Sequence, residues 1–318
     1  MIITVTLNPA VDHTLDLHHL TLGDTNRVQT SRIDPGGKGI NVSRVLQELG
    51  RESMASGLAP GSLGRFVEHS LLERGILCDF VHTRGQTRTN LTIVDESIHE
   101  TTLLSYRGPE IDPRHMTTLE TKLRRYLSSG DWLVVAGSIP PPIKPEAYER
   151  LIALGREAGV STVLDADAEA LAAGLRGKPD LVKTNHHEAE RLLGRELGDD
   201  ALLEQAAHEM RAAGAGTAVI TAGGRGAVAV TEGEVWWAWP PEVAVVSSVG
   251  AGDALLAGML LQLSDGRGIE DALRWGTAAG AAACLTPGTQ LCAREAVLDT
   301  IDHVRVKRTT VRAPARAN

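Results

Sequence analysis

Cysteine and long apolar runs are scarce in this sequence, and both shortages exclude classes of protein. The three cysteines, Cys78, Cys284 and Cys292, form no CxxC pair. An odd number of loosely spaced cysteines favours reduced thiols over a disulfide framework or a zinc site. The longest apolar run, residues 254–263, is too short to cross a bilayer, and the opening MIITVTLNPAVD is not typical of a signal peptide. We therefore expect a cytoplasmic protein without a membrane partner.

The sequence also lacks a surplus of basic charge. Its formal net charge is −8, whereas a nucleic-acid-binding domain carries a basic face, so we expect no nucleic-acid partner. The chain is long enough for one large core, and its 33 glycines indicate many tight turns, where α/β enzymes carry their sites. We predict one domain over residues 1–310, followed by a basic, flexible tail at 311–318.

Strand-like and helix-like segments alternate along most of the chain. MIITVTL has the composition of a first core strand, and INVSRVLQELG has helical apolar spacing that stops at Gly50. Further strands are predicted within RESMASGLA, DWLVVAGS, STVLDAD, DLVKTN and GTAVITAG, with helices between most of them. Such alternation is typical of βαβ units, so we predict an α/β fold with a largely parallel sheet and helices on both faces.

Two regions near the amino end interrupt this alternation. Residues 13–34 contain segments with a period of two, which suits half-exposed strands. Residues 87–107 contain RTNLTIVDES and HETTLLSYR, a predicted hairpin without an intervening helix. These insertions together predict a small separate β-sheet that acts as a lid over the site.

The stretch SSVGAGDALLAGML places Gly250, Ala251 and Gly252 directly before Asp253 and an apolar helix. The aspartate could be an N-cap that accepts hydrogen bonds from the first helical turn, and the stretch taken alone favours this interpretation. Alternatively, it is a base that takes a proton from an attacking hydroxyl, beside main-chain amides that bind an anion.

Two polar stretches in the first fifty residues have the chemistry of ligand binding. In DPGGKGINVSRVL, Gly37 and Lys38 precede a helix and could cradle an anion, although the P-loop spacing is absent. The alternative is a strand-to-helix turn with a solvated lysine. In TLNPAVDHT, Asp12 could accept hydrogen bonds from two neighbouring sugar hydroxyls, or be a turn aspartate.

Two further stretches in the second half of the chain have open interpretations. In KTNHHEAERLLG, Asn185 and Glu188 lie three residues apart on one helical face, which suits Mg²⁺ held through waters or a capping arrangement. In TAGGRGAVAV, the glycines could admit a nucleotide phosphate tail or join two hairpin strands; the stretch alone favours the hairpin.

In combination and in this order, these stretches resemble the ribokinase-like carbohydrate kinases, the phosphofructokinase B family. The resemblance covers residues 1 to about 300 and rests on NPAVD, GGKGINVSRVL, AGSIP, KTNHHE and SVGAGD. It implies a ribokinase-like three-layer α/β/α core with a small β-sheet lid, ATP and Mg²⁺ as cofactors, and a homodimer formed through the lid.

The resemblance also implies a role for each matching residue. Asp253 would be the general base, and the amides of Gly250, Ala251 and Gly252 would be the anion hole. The remaining residues fall into four groups: Asp12, Gly37 and Asn41 for the sugar; Lys38, Arg88, Arg27 and Ser138 for the phosphate already on the substrate; Lys183, Asn185, Thr221, Gly223 and Gly226 for the nucleotide; and Asn185 with Glu188 for Mg²⁺, through water.

LNPAVD, GGKGINVSR and TRTNLTI are most similar to the branch that acts on phosphorylated ketohexoses. The implied reaction is ATP-dependent phosphorylation, with fructose 1-phosphate giving fructose 1,6-bisphosphate as the favoured case. Tagatose 6-phosphate and fructose 6-phosphate are alternative substrates. A non-catalytic sugar-phosphate sensor is an alternative of another class, which the presence of Asp253 disfavours because sensing needs no base. A kinase for an unphosphorylated sugar is disfavoured by the cations Lys38, Arg88 and Arg27.

Overall fold

The computed structural model describes residues 1–98 and 100–309, and its strands and helices alternate as an α/β fold. The strands are β1 Ile2–Thr6, β2 Ala10–Leu17, β3 Thr30–Gly36, β4 Ser53–Pro60, β5 Leu77–Thr83, β6 Arg88–Asp95, β7 Glu100–Leu104, β8 Trp132–Ala136, β9 Ser161–Asp165, β10 Leu181–Asn185, β11 Thr217–Thr221, β12 Ala227–Val230, β13 Val235–Trp239 and β14 Arg305–Thr309. The helices are α1 Lys38–Glu48, α2 Gly61–Glu73, α3 Arg114–Tyr126, α4 Glu146–Glu157, α5 Ala168–Arg176, α6 His186–Leu193, α7 Asp200–Ala212, α8 Ala251–Leu263, α9 Ile269–Ala283 and α10 Arg294–Ile301, with a short 3₁₀ helix at Gly223–Arg225.

The larger sheet has ten strands in the order β14-β13-β12-β11-β10-β9-β8-β1-β4-β5. The pairs from β5 to β11 are parallel, and the pairs from β11 to β14 are antiparallel. Strand β1 is buried on both faces: Ile3 and Val5 belong to the core formed with α3, α4 and α7, whereas Ile2 belongs to the core formed with α1, α8 and α9. The prediction of three layers around a mostly parallel sheet is thus confirmed.

The smaller sheet has four strands in the order β3-β2-β6-β7. Strand β2 pairs antiparallel with β3 and parallel with β6, and β6 and β7 form the predicted hairpin. These strands come from residues 10–36 and 88–104, close to the two predicted insertions at 13–34 and 87–107. The register places Asp12 between Asp34 on β3 and Asn90 on β6.

Strand β14 was not predicted, because its sequence RVKRT is strongly charged. It is the edge strand beyond β13, where cations are tolerated and discourage pairing with another chain. The predicted tail at 311–318 lies outside the described residues. Within the part of the chain that the structure describes, we find no helix with the length and apolar character needed to cross a membrane.

A close main-chain approach between β1 and β4 depends on Gly57. Its register partner is Thr6, and a Cβ on Gly57 would lie 2.0 Å from the Thr6 carbonyl oxygen. Its φ of 134° is also a conformation that L side chains rarely adopt. The strand that leads to Asn8 and the small sheet therefore accepts only glycine opposite its end.

We expect Gly57→Ala to lower the free energy of unfolding by roughly 3 kcal/mol or more, because it adds a clash inside the sheet to the cost of positive φ. Gly130→Ala is the matched control: its φ is 90°, but a Cβ there would meet nothing within 4 Å, so about 1 kcal/mol is expected. Denaturant unfolding measures both. Equal losses would show that the contact with Thr6 is unimportant.

Candidate active site

The carboxyl ends of the parallel strands bring most of the candidate residues to one edge of the larger sheet. This is the edge at which α/β proteins bind their ligands. The residues at or just beyond the strand ends are Asn8 after β1, Ser138 after β8, Asp165 on β9, Lys183 and Asn185 on β10, and Thr221 on β11. The starts of α1 and α8 approach the same edge with Lys38, Asn41 and Asp253.

Asp253 lies in the first turn of α8, and its side chain does not cap the helix. The N-cap residue of α8 is Gly250, in the left-handed conformation with φ 79°, and no side chain caps this helix. The Asp253 carboxylate is 7% exposed and accepts a hydrogen bond from Nδ2 of Asn41 on α1, at 2.8 Å. The N-cap interpretation of Asp253 is therefore wrong, and its carboxylate is available for another task.

The surroundings of Asp253 make it a stronger proton acceptor than an ordinary aspartate. Burial, together with the nearby carboxylate of Asp165, raises its pKa, while Lys183, Lys38 and the Asn41 hydrogen bond lower it. The net result is a pKa of about 6, above the usual 3.8. A base whose pKa is closer to neutrality accepts a proton from a hydroxyl more readily while remaining ionised at pH 7.

Asp165 is the centre of the charged groups at this edge, and the sequence analysis missed it. Its side chain is completely buried, with Oδ1 2.6 Å from Nζ of Lys38 and Oδ2 2.9 Å from Nζ of Lys183. Burial alone would raise the pKa of Asp165, but the two ammonium groups hold it below its usual range. The available signal was its position at the end of STVLD, a buried strand in the predicted parallel sheet.

Lys38 was predicted to hold the phosphate on the substrate, and the structure shows which side chains of the chain itself contact its ammonium group. Its ammonium is already bonded to Asp165 and, at 2.7 Å, to Oε1 of Glu188. Burial lowers the pKa of Lys38, but these carboxylates outweigh burial and raise it. Lys38 therefore neutralises acids on β9 and α6, and its role toward a substrate phosphate stays a prediction.

The start of α8 is suited to binding an anion. The first amides of a helix have no partner within the helix and carry the positive end of its dipole. The Ala251 amide reaches the Ser248 carbonyl oxygen at 3.3 Å, and within residues 1–98 and 100–309 we find no main-chain acceptor for those of Gly250 and Gly252. A Cβ on Gly252 would lie 2.6 Å from Nζ of Lys183, so that ammonium lies against the same turn.

Asp12 lies at the junction of the two sheets. Its carboxylate is buried, and Oδ1 accepts a hydrogen bond from Nδ2 of Asn90 at 2.8 Å. Burial raises the pKa of Asp12, against the opposing effects of Asn90, Arg44 and Arg88. A Cβ on Gly36 would lie 2.1 Å from Oδ2 of Asp12, so a glycine at that position provides the space for the carboxylate.

Arg88 and Ser138 both lie beside Asn8, a residue that the sequence analysis missed. Arg88 donates from Nη2 to the Asn8 carbonyl oxygen at 3.2 Å and from Nη1 to that of Tyr106 at 2.7 Å. Its Nε is buried without a hydrogen-bond partner in the described chain. Nδ2 of Asn8 donates to Oγ of Ser138 at 3.0 Å. Gly37 is the N-cap of α1, and a Cβ there would lie 3.4 Å from Cα of Pro9, the residue after Asn8.

Arg27 lies on a different segment from the strand ends that carry the other candidate residues. It is exposed, in the connection between β2 and β3. That connection starts after Leu17, five residues and about 16 Å along the strand from Asp12. Its predicted role in holding the phosphate on the substrate stays a prediction.

Asn185 and Glu188 form a complete capping box at the start of α6. Oδ1 of Asn185 accepts from the Glu188 amide at 2.9 Å, and Oε2 of Glu188 accepts from the Asn185 amide at 2.9 Å. The described residues contain no group of three or more His, Cys, Asp or Glu side chains arranged to hold a metal ion. The capping interpretation is therefore correct, and a metal role for this pair remains a prediction.

The glycine-rich turn after β11 joins two antiparallel strands, as the hairpin interpretation predicted. Thr221 is the register partner of Asn185, so the turn starts beside α6. Gly223 begins the 3₁₀ helix, and a Cβ there would meet nothing within 4 Å, so the turn is open on this side. A Cβ on Gly226 would lie 2.0 Å from the Ala238 carbonyl oxygen, which fixes the turn against β13.

A mostly parallel sheet, a small separate sheet and a buried aspartate at the glycine-rich start of a helix are together typical of carbohydrate kinases. The family model of the pfkB family carbohydrate kinases matches residues 5–296, and the chain belongs to this family. The resemblance drawn from the motifs is thereby confirmed, and the chain is a kinase of this class.

Individual relatives agree with the family. The chain is 36% identical to the 1-phosphofructokinase of Rhodobacter capsulatus over 278 residues, which cover 87% of this chain and 88% of the relative. The structure of phosphofructokinase-2 from Escherichia coli in complex with fructose-6-phosphate is 30% identical and has a TM-score of 0.88, covering 95% and 98% of the two chains. A ribokinase from Arabidopsis thaliana, 18% identical with a TM-score of 0.73 over 94% of this chain and 98% of that one, shares the fold. The ribokinase-like fold is thus confirmed.

The raised pKa of Asp253 has a consequence for stability. The folded state holds the proton up to about pH 6, whereas an ordinary aspartate releases it near 3.8, so wild-type stability falls as the pH rises between these values. Asp253→Asn removes this penalty. We expect the variant to be more stable than wild type above about pH 7, by on the order of 3 kcal/mol, and the difference to vanish below about pH 4. Denaturant unfolding over a pH series measures this, and a pH-independent difference would contradict the raised pKa.

Proposed function

We propose that this protein is an ATP-dependent kinase for a ketohexose phosphate, and that fructose 1-phosphate, giving fructose 1,6-bisphosphate, is its preferred substrate. The observation that carries the proposal is the position of Asp253, which is buried, released from helix capping and adjacent to the free amides at the start of α8. The family and the 36% identical 1-phosphofructokinase support the substrate class.

In this proposal the phosphoryl group passes from ATP to the sugar in one in-line step. Asp253 takes the proton from the attacking sugar hydroxyl, whose oxygen forms a bond to the terminal phosphorus of ATP while the bond to ADP breaks. The amides of Gly250, Ala251 and Gly252 and the ammonium of Lys183 stabilise the charge on the migrating group. Donors held in place before the reaction are typically worth a few kcal/mol each in the transition state.

The sugar is proposed to lie between α8 and the base of the small sheet. Asp12 and Asn41 offer hydrogen-bonding groups there, and Gly37 keeps the main chain at the start of α1 free of a side chain. Arg88 and Ser138 are proposed to bind the phosphate already on the substrate. The buried, unpartnered Nε of Arg88 supports this role, because such a donor is costly without an acceptor.

The nucleotide is proposed to lie along Lys183, Asn185 and the turn from Thr221 to Gly226. Glu188 and Asp165 place carboxylate oxygens within 2.7 Å of one ammonium nitrogen, so this point already binds a cation. Carboxylate and amide oxygens suit Mg²⁺, which keeps several of its waters, so Asn185 and Glu188 fit a water-mediated role. When bound, Mg²⁺ would neutralise charge on the phosphates of ATP.

A homodimer through the small sheet is proposed as well. The side chains of Ile33, Leu103 and Leu104 on this sheet are large and apolar, and each is between 46% and 51% exposed. A second chain packed there would cover these side chains. We propose that Arg27 would then reach the substrate phosphate in the site of the second chain. Light scattering measures the oligomeric state. A monomer at micromolar concentration would argue against the dimer and against the phosphate-binding role of Arg27.

The proposed reaction is tested by steady-state kinetics with fructose 1-phosphate, fructose 6-phosphate, tagatose 6-phosphate and fructose in parallel. We expect fructose 1-phosphate to give the highest kcat/KM and Asp253→Asn to lose turnover by roughly 10²-fold or more while still binding substrate. Preference for a 6-phosphate would favour the alternative substrates, and preference for free fructose would contradict the proposal. No ATP consumption with any of them would favour a sugar-phosphate sensor.

Arg88→Ala should raise KM for the phosphorylated sugar by about 10-fold or more with a smaller effect on kcat, because a substrate-binding cation is lost. KM for ATP should not change. Arg114→Ala is the control, since Arg114 is an exposed arginine whose ion pair, among the described residues, is with Asp112. If Arg88→Ala and Arg114→Ala give the same KM in folded protein, Arg88 does not bind the substrate phosphate.

A further inference from the structure

The Asn41 carboxamide lies between Asp253 and a buried arginine, Arg44, and forms a hydrogen bond with each. On one side its Nδ2 donates to Oδ2 of Asp253 at 2.8 Å. On the other side its Oδ1 accepts from Nη1 of Arg44 at 3.3 Å. Arg44 lies one helical turn further along α1 and is 6% exposed. The amide therefore lies between an acceptor and a donor.

The chemistry of the two neighbours allows only one orientation of this amide. An ionised carboxylate only accepts hydrogen bonds, and a guanidinium only donates them. If the amide turned over, its NH₂ would face the guanidinium and its oxygen would face the carboxylate. Both contacts would then be repulsive while Asp253 is ionised. The repulsion between the amide oxygen and Asp253 would disappear only if the Asp253 carboxyl held a proton, which it could donate to that oxygen.

Arg44 itself is held from three sides. Its Nη1 donates to the Pro35 carbonyl oxygen at 2.9 Å, and its Nη2 lies 3.2 Å from the Thr289 carbonyl oxygen and 3.5 Å from Oδ1 of Asp34. Thr289 also donates from Oγ1 to Oδ2 of Asp34 at 3.1 Å. The guanidinium is thus fixed by β3 of the small sheet and by the segment after α9, and it has little freedom to leave Asn41.

We propose that Arg44 is a positioning residue that keeps the Asn41 carboxamide with its nitrogen, and not its oxygen, toward Asp253. The inference rests on the proposed function, since it concerns the base of the same reaction. In this arrangement Asn41 stabilises the ionised form of Asp253, the form that takes the proton. Without Arg44 nothing among the described contacts of Oδ1 opposes the turned-over amide.

Other charged groups near Asp253 and near Arg44 could also change the pKa of Asp253. Asp253 faces Asp165 on β9, Lys183 on β10 and Lys38 on α1. Arg44 faces a second set: Asp34 and Arg32 on β3, Asp12 on β2, and Arg74, the residue directly after α2. Arg44 is not among the main charges that act on Asp253, so its effect on the base should pass through Asn41.

The test is the pH dependence of kcat/KM for the ketohexose phosphate. Wild type should lose activity as the pH falls through about 6, because Asp253 becomes protonated. In Arg44→Met the amide is free to turn over, so we expect this acid limb to move up by about one pH unit. Arg44→Lys keeps a group that only donates, and should restore most of the wild-type profile.

Arg74→Met is the matched control. Arg74 lies 3.9 Å from the same Asp34 carboxylate but is 43% exposed and has no contact with Asn41 among the described residues. This variant also removes a guanidinium from Asp34, yet it should leave the acid limb in place. An equal shift in Arg74→Met and Arg44→Met would assign the effect to Asp34 or to a general loss of charge, and would overturn the proposal.

A second comparison uses Arg44→Lys, which keeps the positive charge, and it holds if Arg44→Met does not fold. Any movement of the acid limb that Arg44→Lys causes in the wild-type background should be absent in an Asn41→Ala background, because the residue that transmits the effect is absent. An effect that persists in that background would refute action through Asn41. Wild-type turnover on ketohexose phosphates is measured first: its absence contradicts the proposed function, whereas turnover with an unmoved acid limb contradicts only the role of Arg44.

Discussion

The site depends on one buried interaction, the pairing of Asp165 with the ammonium groups of Lys38 and Lys183. Both contacts are shorter than 3 Å, and Asp165 and Lys183 are buried while Lys38 is partly exposed, so neither Asp165 nor Lys183 would be tolerated there alone. Glu188 shares Lys38, which leaves three carboxylates against two cations once Asp253 is counted. The carboxylate without an ammonium of its own is Asp253. Its raised pKa is therefore a consequence of how its neighbours are paired, as well as of burial.

This pairing also explains why the fold and the site cannot be separated. Lys38 begins α1, Asp165 ends β9 and Lys183 lies on β10, and the contact between Lys38 and Asp165 spans 127 residues of chain. The parallel strands from β1 to β10 all end at one edge of the sheet. The amino end of α8 lies at this edge, where Gly252 is close to Lys183. A shift of any of these strands by one residue would turn a charged side chain from the edge into one of the two apolar cores.

Short-range patterns were sufficient to predict part of this arrangement. The βαβ alternation predicted the sheet, and the three-residue spacing of Asn185 and Glu188 predicted a shared helix face, because both signals lie within one element. Asp165 and Arg44 were not predicted from the sequence, and neither was the contact of Lys38 with Asp165. Each of these depends on contacts between distant segments, such as Arg44 with Thr289, 245 residues away. A lysine before a helix carries no local sign of which carboxylate it will meet.

The glycines of the site illustrate the same limit in another way. In the sequence, the glycine-rich stretches that contain Gly36 and Gly252 were interpreted as places where main-chain amides could bind an anion. In the structure, a Cβ on Gly36 would overlap the Asp12 carboxylate, and one on Gly252 would overlap the Lys183 ammonium. These glycines therefore make room for the charged side chains of the chain itself. Because that requirement comes from residues on other strands, the same glycine pattern in a chain without Asp12 and Lys183 would not indicate the same site.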